Sequence, residues 1–305
     1  MAIRILVTGA AGFIGSNLVD QILLDTDWEI DGLDNFSTGS QSNINHLSGE
    51  PRFSFLRRDI HEITSLKPYK YVFHLAALPR IQPSFDAPKE HALANLVGSI
   101  HLMEVMIREN HYPRFIYSSS SAVYGNPPKV PTSEDAPIMC LNPYSFQKYE
   151  VERYLELLST RYPFDFVSLR YFNPYGPRSF NPKNYYNAYS SVVGIFLNRR
   201  REGLPLLVTG DGLRQRDFIH VQDVARANIC SALYSGQLNV PINIGSGATL
   251  RIIDLAQQIS DRIEFVPERN GEAQVTFADV TRATTLLTWA PSISINEYLN
   301  NPDDV

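Results

Sequence analysis

Cysteine is scarce in this sequence. The two cysteines, Cys140 and Cys230, are far apart and outside any Cys-x-x-Cys motif. This excludes a disulfide framework and a thiolate metal site. We therefore expect no bound metal and a reducing, cytoplasmic environment.

An excess of basic residues is also lacking, as are long apolar runs. Lysine and arginine total 27 against 32 acidic residues, for a net charge of -5. Such a balance does not favour nucleic acid or anionic lipid. No stretch of 18 apolar residues could span a membrane, and residues 3–7 are too short a run for a signal peptide. We expect small-molecule partners, with no nucleic acid and no membrane.

A glycine-rich turn follows the first apolar stretch. Residues 3–8 predict a buried strand, and an apolar-periodic helix begins soon after. Glycines between them permit a tight turn and a close approach to a pyrophosphate, which the helix N-terminus attracts. This context predicts dinucleotide binding, with a merely structural turn as the alternative. The turn is Gly9-Ala10-Ala11-Gly12-Phe13-Ile14-Gly15.

A carboxylate ends the second predicted strand, at residues 29–33. Asp34 and Asn35 follow it, about 20 residues past the glycine turn, where a carboxylate accepts hydrogen bonds from the adenosine ribose. A 2′-phosphate would be repelled there. The position favours NAD over NADP, although Arg57 and Arg58 lie further on.

Strands and helices alternate through the first half of the chain. Further strands are predicted at 53–56, 71–73, 115–117 and 166–171, with helices at 91–109 and 144–161. This alternation is typical of an α/β fold, a Rossmann-like doubly wound parallel sheet. We assign residues 1–173 plus about 218–245 to the NAD-binding domain. A smaller α/β substrate-binding domain takes about 174–217 plus 246–305.

Polar residues follow two of these strands. The carboxyl ends of parallel strands face the ligand crevice, so at least one serine of residues 118–121 should face the cofactor. Solvation of a strand end is the alternative. His74 has no histidine or carboxylate paired with it in sequence, and we interpret it as a hydrogen-bonded structural residue.

Tyr144 and Lys148 form a candidate catalytic pair. Pro143 suits a helix start, and a spacing of four places both side chains on one face, roughly 5–6 Å apart at Cβ. An ammonium beside a phenol favours the phenolate and lowers its pKa from about 10 towards neutrality. Tyr144 is therefore the candidate proton carrier, and a surface Tyr/Lys pair is the alternative.

These motifs together resemble the extended short-chain dehydrogenases/reductases of the nucleotide-sugar epimerase/dehydratase family, most closely the UDP-hexose and UDP-N-acetylhexosamine 4-epimerases. The resemblance extends from Ile3 to about Pro291. It rests on Thr8-Gly9-x-x-Gly12-x-x-Gly15, Asp34-Asn35, Asp59-Ile60, His74-Leu75-Ala76-Ala77, Asn95, Ser118-Ser119-Ser120, Tyr144-x-x-x-Lys148, Arg170-Tyr171-Phe172-Asn173, Arg216-Asp217 and Arg269.

The resemblance implies NAD as cofactor and assigns residue roles. Tyr144 becomes the base, Lys148 its pKa tuner and a nicotinamide-ribose ligand, and Ser120 the hydroxyl that holds the substrate oxygen. The cofactor-binding set is Gly9, Gly12, Phe13, Ile14, Gly15, Asp34, Asn35, Asp59, Ile60, Leu75, Ala76, Ala77, Asn95, Ser118, Tyr144, Lys148 and Phe172. The substrate-binding set is Ser84, Ser120, Asn173, Tyr189, Arg216, Arg269 and Thr276. It also implies a homodimer formed through helices at about 91–110 and 144–161.

The turn after the fifth strand bears on the reaction. Dehydratases resembling this chain have Thr-Asp-Glu where it has Ser120-Ser121-Ala122, and decarboxylating relatives usually have glutamate at the third position. Lacking that carboxyl acid, the chain is expected to epimerise a UDP-sugar at C4 through a transient 4-keto form. A dehydratase, decarboxylase or reductase is the alternative. A catalytically idle NAD-dependent sensor is a second alternative, which the intact Ser120, Tyr144 and Lys148 disfavour.

Two departures from the galactose-type pattern bear on the sugar. Thr276 stands where similar bacterial epimerases have a tyrosine beside C2 of the sugar, and Pro79 stands where they have a lysine. Because threonine is smaller than tyrosine, the space beside C2 is left free. This predicts UDP-GlcNAc and UDP-GalNAc as substrates, with UDP-glucose and UDP-galactose as further candidates. The alternative is that Thr276 only caps residues 277–279. The closing helix of the substrate domain is expected to be short or absent.

Overall fold

The computed structural model describes residues 2–181 and 190–300. Its main sheet has seven parallel strands in the order β11-β6-β5-β4-β1-β2-β3. The order reverses between β1 and β4, and ligands of open α/β sheets bind at such a switch point. The strands are β1 Arg4–Thr8, β2 Glu29–Asp34, β3 Phe53–Arg57, β4 Tyr71–His74, β5 Arg114–Ser120, β6 Phe166–Tyr171, β7 Pro174–Tyr175, β8 Leu206–Thr209, β9 Gln215–Arg216, β10 Ile219–His220, β11 Val240–Ile244, β12 Leu250–Arg251 and β13 Ile263–Val266.

Helices cover both faces of this sheet, which confirms the doubly wound α/β fold. Apolar side chains of α1 and α7 fill the core on one face, and those of α4 and α5 fill the core on the other. The helices are α1 Phe13–Asp25, α2 Ile81–Asp86, α3 Pro88–Ala92, α4 Gly98–Arg108, α5 Pro143–Ser159, α6 Val192–Arg201, α7 Val221–Leu233, α8 Ile252–Ile259, α9 Thr281–Leu287 and α10 Ile295–Asn300.

Two predicted elements differ from the structure. The helix expected at 91–109 is divided into α3, a π-helical segment at Leu93–Val97 and α4, a change of hydrogen-bond register that apolar spacing does not reveal. Strand β5 continues through the serine run to Ser120, because those serines pair with β6 up to Tyr171. The extra length carries Ser118 and Ser120 to the carboxyl edge of the sheet.

A separate apolar core lies beyond this edge. It contains Tyr175, Phe196, Phe218, Leu255 and Tyr298, and is covered by short sheets that pair β8 with β13 and β9 with β12. Strand β11 returns to the main sheet beside β6, as expected when residues 218–245 were assigned to the same domain as the first six strands. The division into two domains at the predicted boundaries stays a prediction.

Two more helices, α9 and α10, follow β13. Helix α9 was not predicted, and α10 is short, with six residues. Among the described residues, no helix has both the length and the apolar character that crossing a membrane requires.

Candidate active site

A cavity of about 1320 Å³ runs along the carboxyl edge of the main sheet. The glycine turn after β1 and the end of β2 line one end, and residues around β9 and in the loop after β13 line the other. Tyr144, Lys148 and Ser120 lie in its wall. The cavity therefore joins the predicted cofactor residues to the predicted substrate residues.

The glycine turn leaves no room for side chains. Gly9 has φ +73°, and a Cβ there would lie 2.8 Å from the backbone nitrogen of Ala76. A Cβ on Gly15 would lie 2.0 Å from the carbonyl oxygen of Gly9. Gly12 precedes α1 without a capping side chain, so the helix N-terminus stays open to the cavity. This geometry fits a bound pyrophosphate.

Asp34 closes the same end of the cavity. Its carboxylate accepts hydrogen bonds from the backbone nitrogens of Ala11 (3.0 Å) and Phe36 (2.7 Å). Burial raises its pKa, and those backbone bonds oppose the rise. Nearby, Asn35 donates to Asp59 over 2.7 Å. A fixed carboxylate beside a glycine cradle fits the ribose of NAD, so the residues present suit this cofactor.

His74 is a structural residue, as its isolation in the sequence indicated. Its ring nitrogens lie 2.8 Å from the hydroxyls of Thr8 and Ser99. Complete burial lowers its pKa to about 3, and the Lys148 charge adds to this. The ring therefore stays neutral and joins β1, β4 and α4.

Tyr144 lies in the first turn of α5. Asn142 caps the helix by accepting a 2.8 Å hydrogen bond from the Ser145 nitrogen, and Pro143 occupies the first turn. Burial raises the pKa of Tyr144, while a hydrogen bond with Ser120 and the positive charge of Arg80 oppose the rise. Burial therefore acts against the lowering expected from a neighbouring lysine, because spacing on a helix does not reveal the loss of hydration.

Lys148 lies on the same face but bonds elsewhere. Its ammonium donates to the carbonyl oxygen of Ser118 over 2.7 Å and stays 6.0 Å from the centre of the Tyr144 ring. Burial lowers the pKa of Lys148 to about 7, although Glu152 opposes this. The ammonium is therefore bonded to the β5 backbone, and any effect of its charge on Tyr144 acts through space.

Arginines and polar residues form the opposite end of the cavity. Arg216, Arg269 and Thr276 line it. Asn173 also lines it, but its amide nitrogen donates to the Asp217 carbonyl (2.8 Å) and to the Thr276 hydroxyl (2.9 Å). Only the amide oxygen of Asn173 remains for a ligand. Thr276 also accepts from the Asp217 nitrogen, so it joins two segments and does not cap residues 277–279.

Residues 5–245 match the model of the NAD dependent epimerase/dehydratase family. The chain belongs to this family. The UDP-glucose 4-epimerase of Mycolicibacterium smegmatis is 34% identical over 306 residues, which are 96% of this chain and 95% of that protein.

Solved structures of similar enzymes agree with this family assignment. A UDP-N-acetylglucosamine 4-epimerase of Methanobrevibacter ruminantium, in complex with UDP-N-acetylmuramic acid, has a TM-score of 0.89 at 31% identity and covers 100% of this chain and 97% of its own. A UDP-glucuronic acid 4-epimerase of Bacillus cereus, with UDP-glucuronic acid and NAD, has a TM-score of 0.90 at 29% identity, covering 99% and 98%. These relatives differ in their sugar, so membership of the epimerase/dehydratase family leaves the sugar open.

The structure places several residues predicted from the family resemblance behind the cavity wall. The Asn95 amide bonds Leu78 and Gln147, Phe172 packs in a core with Val123 and Tyr124, and the Ser84 hydroxyl donates to Ile81 and accepts from the Tyr144 nitrogen. Their polar groups are hydrogen-bonded, or their apolar surfaces packed, within the protein itself. These three residues do not line the cavity, and the direct contacts predicted for Ser84, Asn95 and Phe172 stay predictions. Tyr189 lies outside the described residues.

The other predicted residues of this epimerase/dehydratase family member line the cavity. On the cofactor side they are Gly9, Gly12, Phe13, Ile14, Gly15, Asp34, Asn35, Asp59, Ile60, Leu75, Ala76, Ala77 and Ser118. Their individual roles stay predictions.

The site also contains arginines that the predictions missed. Arg214 is 8% exposed and pairs with Glu268 (3.3 Å) and Glu272 (3.2 Å), and Glu272 also lies 3.5 Å from Arg216. The pair Arg214 and Arg216 was visible in the sequence, but its acidic partners come from a distant loop.

Arg80 is the other missed arginine, in the loop after β4. Its backbone has φ 88° and ψ 147°, a region that glycine alone adopts readily and that costs about 1–3 kcal/mol otherwise. Its Nε is enclosed without a hydrogen-bond partner. Burial lowers the pKa of this guanidinium, while Tyr144 and Glu272 oppose the change. Arg80 could have been identified from the sequence by its position just after a parallel strand, where ligand-binding residues commonly lie.

Proposed function

We propose that this protein is an NAD-dependent UDP-sugar 4-epimerase that acts through a transient 4-keto sugar. The observation that carries the proposal is the position of Tyr144. Its side chain and that of Ser120 line the cavity that joins the glycine turn to the arginines. A tyrosine there can exchange a proton with a sugar hydroxyl held between a dinucleotide and a nucleotide diphosphate.

Each of the main residues of the site has a defined task in this reaction. Tyr144 takes the proton from the 4-hydroxyl and later returns it, while Ser120 holds the same oxygen. NAD, when bound, supplies the hydride acceptor and donor for C4. Arg216 and Arg269 hold the diphosphate, and looser contacts around the hexose let the keto sugar present its other face.

The turn after β5 supports epimerisation over elimination. Residues 121–124 are Ser, Ala, Val and Tyr, so this turn offers no carboxyl acid to a leaving hydroxyl. A dehydratase needs such an acid in addition to the tyrosine. A 4-keto-6-deoxy product or net consumption of NADPH would contradict the assignment.

Among UDP-sugars we favour UDP-GlcNAc and UDP-GalNAc, with UDP-glucose and UDP-galactose as further substrates. Thr276 lies in the wall of the arginine end and is far smaller than a tyrosine. Forcing extra bulk into a filled site costs about 1–3 kcal/mol. The space that Thr276 leaves open can therefore accept an acetamido group.

Thr276→Tyr is expected to lower kcat/KM for UDP-GlcNAc by about 5- to 150-fold relative to UDP-glucose. The added ring fills the space beside C2 and excludes the acetamido group. The epimerised products are measured by NMR with sub-stoichiometric NAD, which suffices if the hydride returns in each cycle.

Thr276→Val is the matched control, because it removes the hydroxyl that Asn173 and Asp217 contact without adding bulk. We expect it to leave the ratio between the two sugars unchanged. Equal losses on both sugars in Thr276→Tyr, or a parent protein inactive on UDP-GlcNAc, would place the selectivity elsewhere.

We also propose a homodimer formed through α5 and the segment preceding α4. Phe146 and Leu157 on α5 are 52% and 61% exposed, and Leu93 and Val97 of the π-helical segment are 46% and 42% exposed. A row of exposed apolar side chains on adjacent helices is typical of a subunit interface.

A cytoplasmic location is proposed from the two free cysteines, which fit a reducing compartment.

Leu157→Arg is expected to convert the dimer into monomers, because it places a charge in an apolar interface. Light scattering after size-exclusion chromatography measures the mass. The control is Leu24→Arg, which changes a 78% exposed leucine on α1 and should leave the dimer intact. A monomeric parent protein, or an unchanged mass in Leu157→Arg, would refute this interface.

A further inference from the structure

Arg80 differs from the other arginines of the cavity. Arg214 and Arg216 pair with Glu272, and Arg178 pairs with Asp20. Within residues 2–181 and 190–300, Arg80 forms no ion pair or hydrogen bond through its guanidinium, and its Nε is enclosed. Exposed arginines such as Arg269 are hydrated by solvent, whereas Arg80 is only partly exposed and its buried Nε depends on a partner.

The contacts of its segment place Arg80 at the sugar end of the cavity. Two residues after it, Gln82 donates to the Asn270 carbonyl over 2.9 Å, next to Arg269. Further on, the Ser84 hydroxyl accepts from the Tyr144 nitrogen over 3.2 Å. The segment is thus fixed between the substrate loop and the helix of the base.

The chemistry of a guanidinium indicates which ligand would satisfy it. Arginine binds carboxylates through paired, charge-assisted hydrogen bonds. The substrate's diphosphate is assigned to Arg216 and Arg269, so the hexose is the part of the substrate that remains near Tyr144. Glu272, the carboxylate whose charge acts on Arg80, is already paired with Arg214 and Arg216, so a carboxylate on the hexose would give Arg80 an anion of its own.

We propose that Arg80 binds a carboxylate carried by the hexose, and that among N-acetylated UDP-sugars those with such a carboxylate bind most tightly. This inference rests on the proposed epimerase function and specifies its substrate class. The backbone of Arg80 supports it, because a non-glycine residue in such a conformation is retained where surrounding structure holds it, commonly at ligand sites.

The test compares three UDP-sugars that share the acetamido group. UDP-GlcNAc is neutral at the hexose, UDP-N-acetylglucosaminuronic acid carries a carboxylate at C5, and UDP-N-acetylmuramic acid carries one on its C3 substituent. We expect the parent protein to bind one acidic sugar more tightly than UDP-GlcNAc, by calorimetry in a Tyr144→Phe background that does not turn it over. The preferred acid identifies the position of the carboxylate.

Arg80→Gln should remove this preference. It should weaken the binding of the acidic sugar by about 30-fold or more, while the affinity for UDP-GlcNAc changes little. Arg80→Lys keeps the charge without the planar fork and should restore part of the preference, and it serves if Arg80→Gln does not fold. Equal weakening of the binding of all three sugars, or loss of NAD affinity, in Arg80→Gln would overturn the proposal. UDP-GlcNAc turnover without binding of either acid would overturn the Arg80 proposal alone, whereas a parent protein inactive on every UDP-sugar would refute the epimerase itself.

Discussion

Tyr144→Phe is expected to lower the turnover number by at least about 10²- to 10⁴-fold, the usual effect of losing a general base. The change removes only the phenol oxygen that pairs with Ser120, and the backbone bond to Ser84 stays. NAD and UDP should therefore bind almost as before. Steady-state epimerisation rates, together with calorimetric titration of UDP and NAD, measure both effects.

Tyr154→Phe is the control, since it removes a phenol oxygen from a 41% exposed tyrosine on the same helix. Turnover in that variant should be unchanged. Near-normal turnover in Tyr144→Phe would show that another group moves the proton. Lys148→Ala should in addition shift the pH profile to higher pH, because it removes a positive charge 6.0 Å from the Tyr144 ring.

Glu152→Gln is expected to lower the free energy of unfolding by about 3–5 kcal/mol, because it leaves Arg170 buried without its counter-charge. Arg170 bonds both carboxylate oxygens of Glu152, at 3.0 and 2.6 Å, and the two side chains are only 4% and 7% exposed. Ser119 donates to the same carboxylate. Urea denaturation without added NAD measures the loss free of ligand stabilisation.

Glu156→Gln is the matched control, one turn further along α5. Its partner Arg153 and Glu156 itself are 49% and 43% exposed, and solvated pairs contribute about 0–1 kcal/mol. Comparable small losses in both variants would mean that the Arg170 pair adds little to stability and that its burial is compensated elsewhere.

The main sheet could be predicted because its signals are local. Apolar runs, glycine turns and alternating helices located six strands of the main sheet, and β11 was expected to return to it. The π-helical segment before α4 and the extension of β5 to Ser120 depend on pairing with neighbours that are distant in sequence. Spacing along the chain holds no information about such pairing.

Site residues that belong to one short motif could be predicted from the sequence. Properties of the site that depend on contacts between distant segments were less predictable. The glycine turn, Asp34 and Tyr144 lie in the cavity wall, as their motifs indicated. The pKa values of Tyr144 and Lys148 depend on burial that only the assembled fold creates. The isolation of Arg80 likewise follows from which side chains the fold brings near it.

The construction of the cavity has a consequence for how such enzymes diverge. The glycine turn tolerates almost no change, because a single methyl group on Gly15 would collide with the Gly9 backbone. Arg80 and Thr276, by contrast, are loop side chains whose replacement leaves the main sheet intact. One or two nucleotide substitutions in a gene could therefore change the accepted sugar while the NAD-binding end of the cavity stays the same. Duplicated copies of the gene can then acquire new substrates without passing through an inactive ancestor.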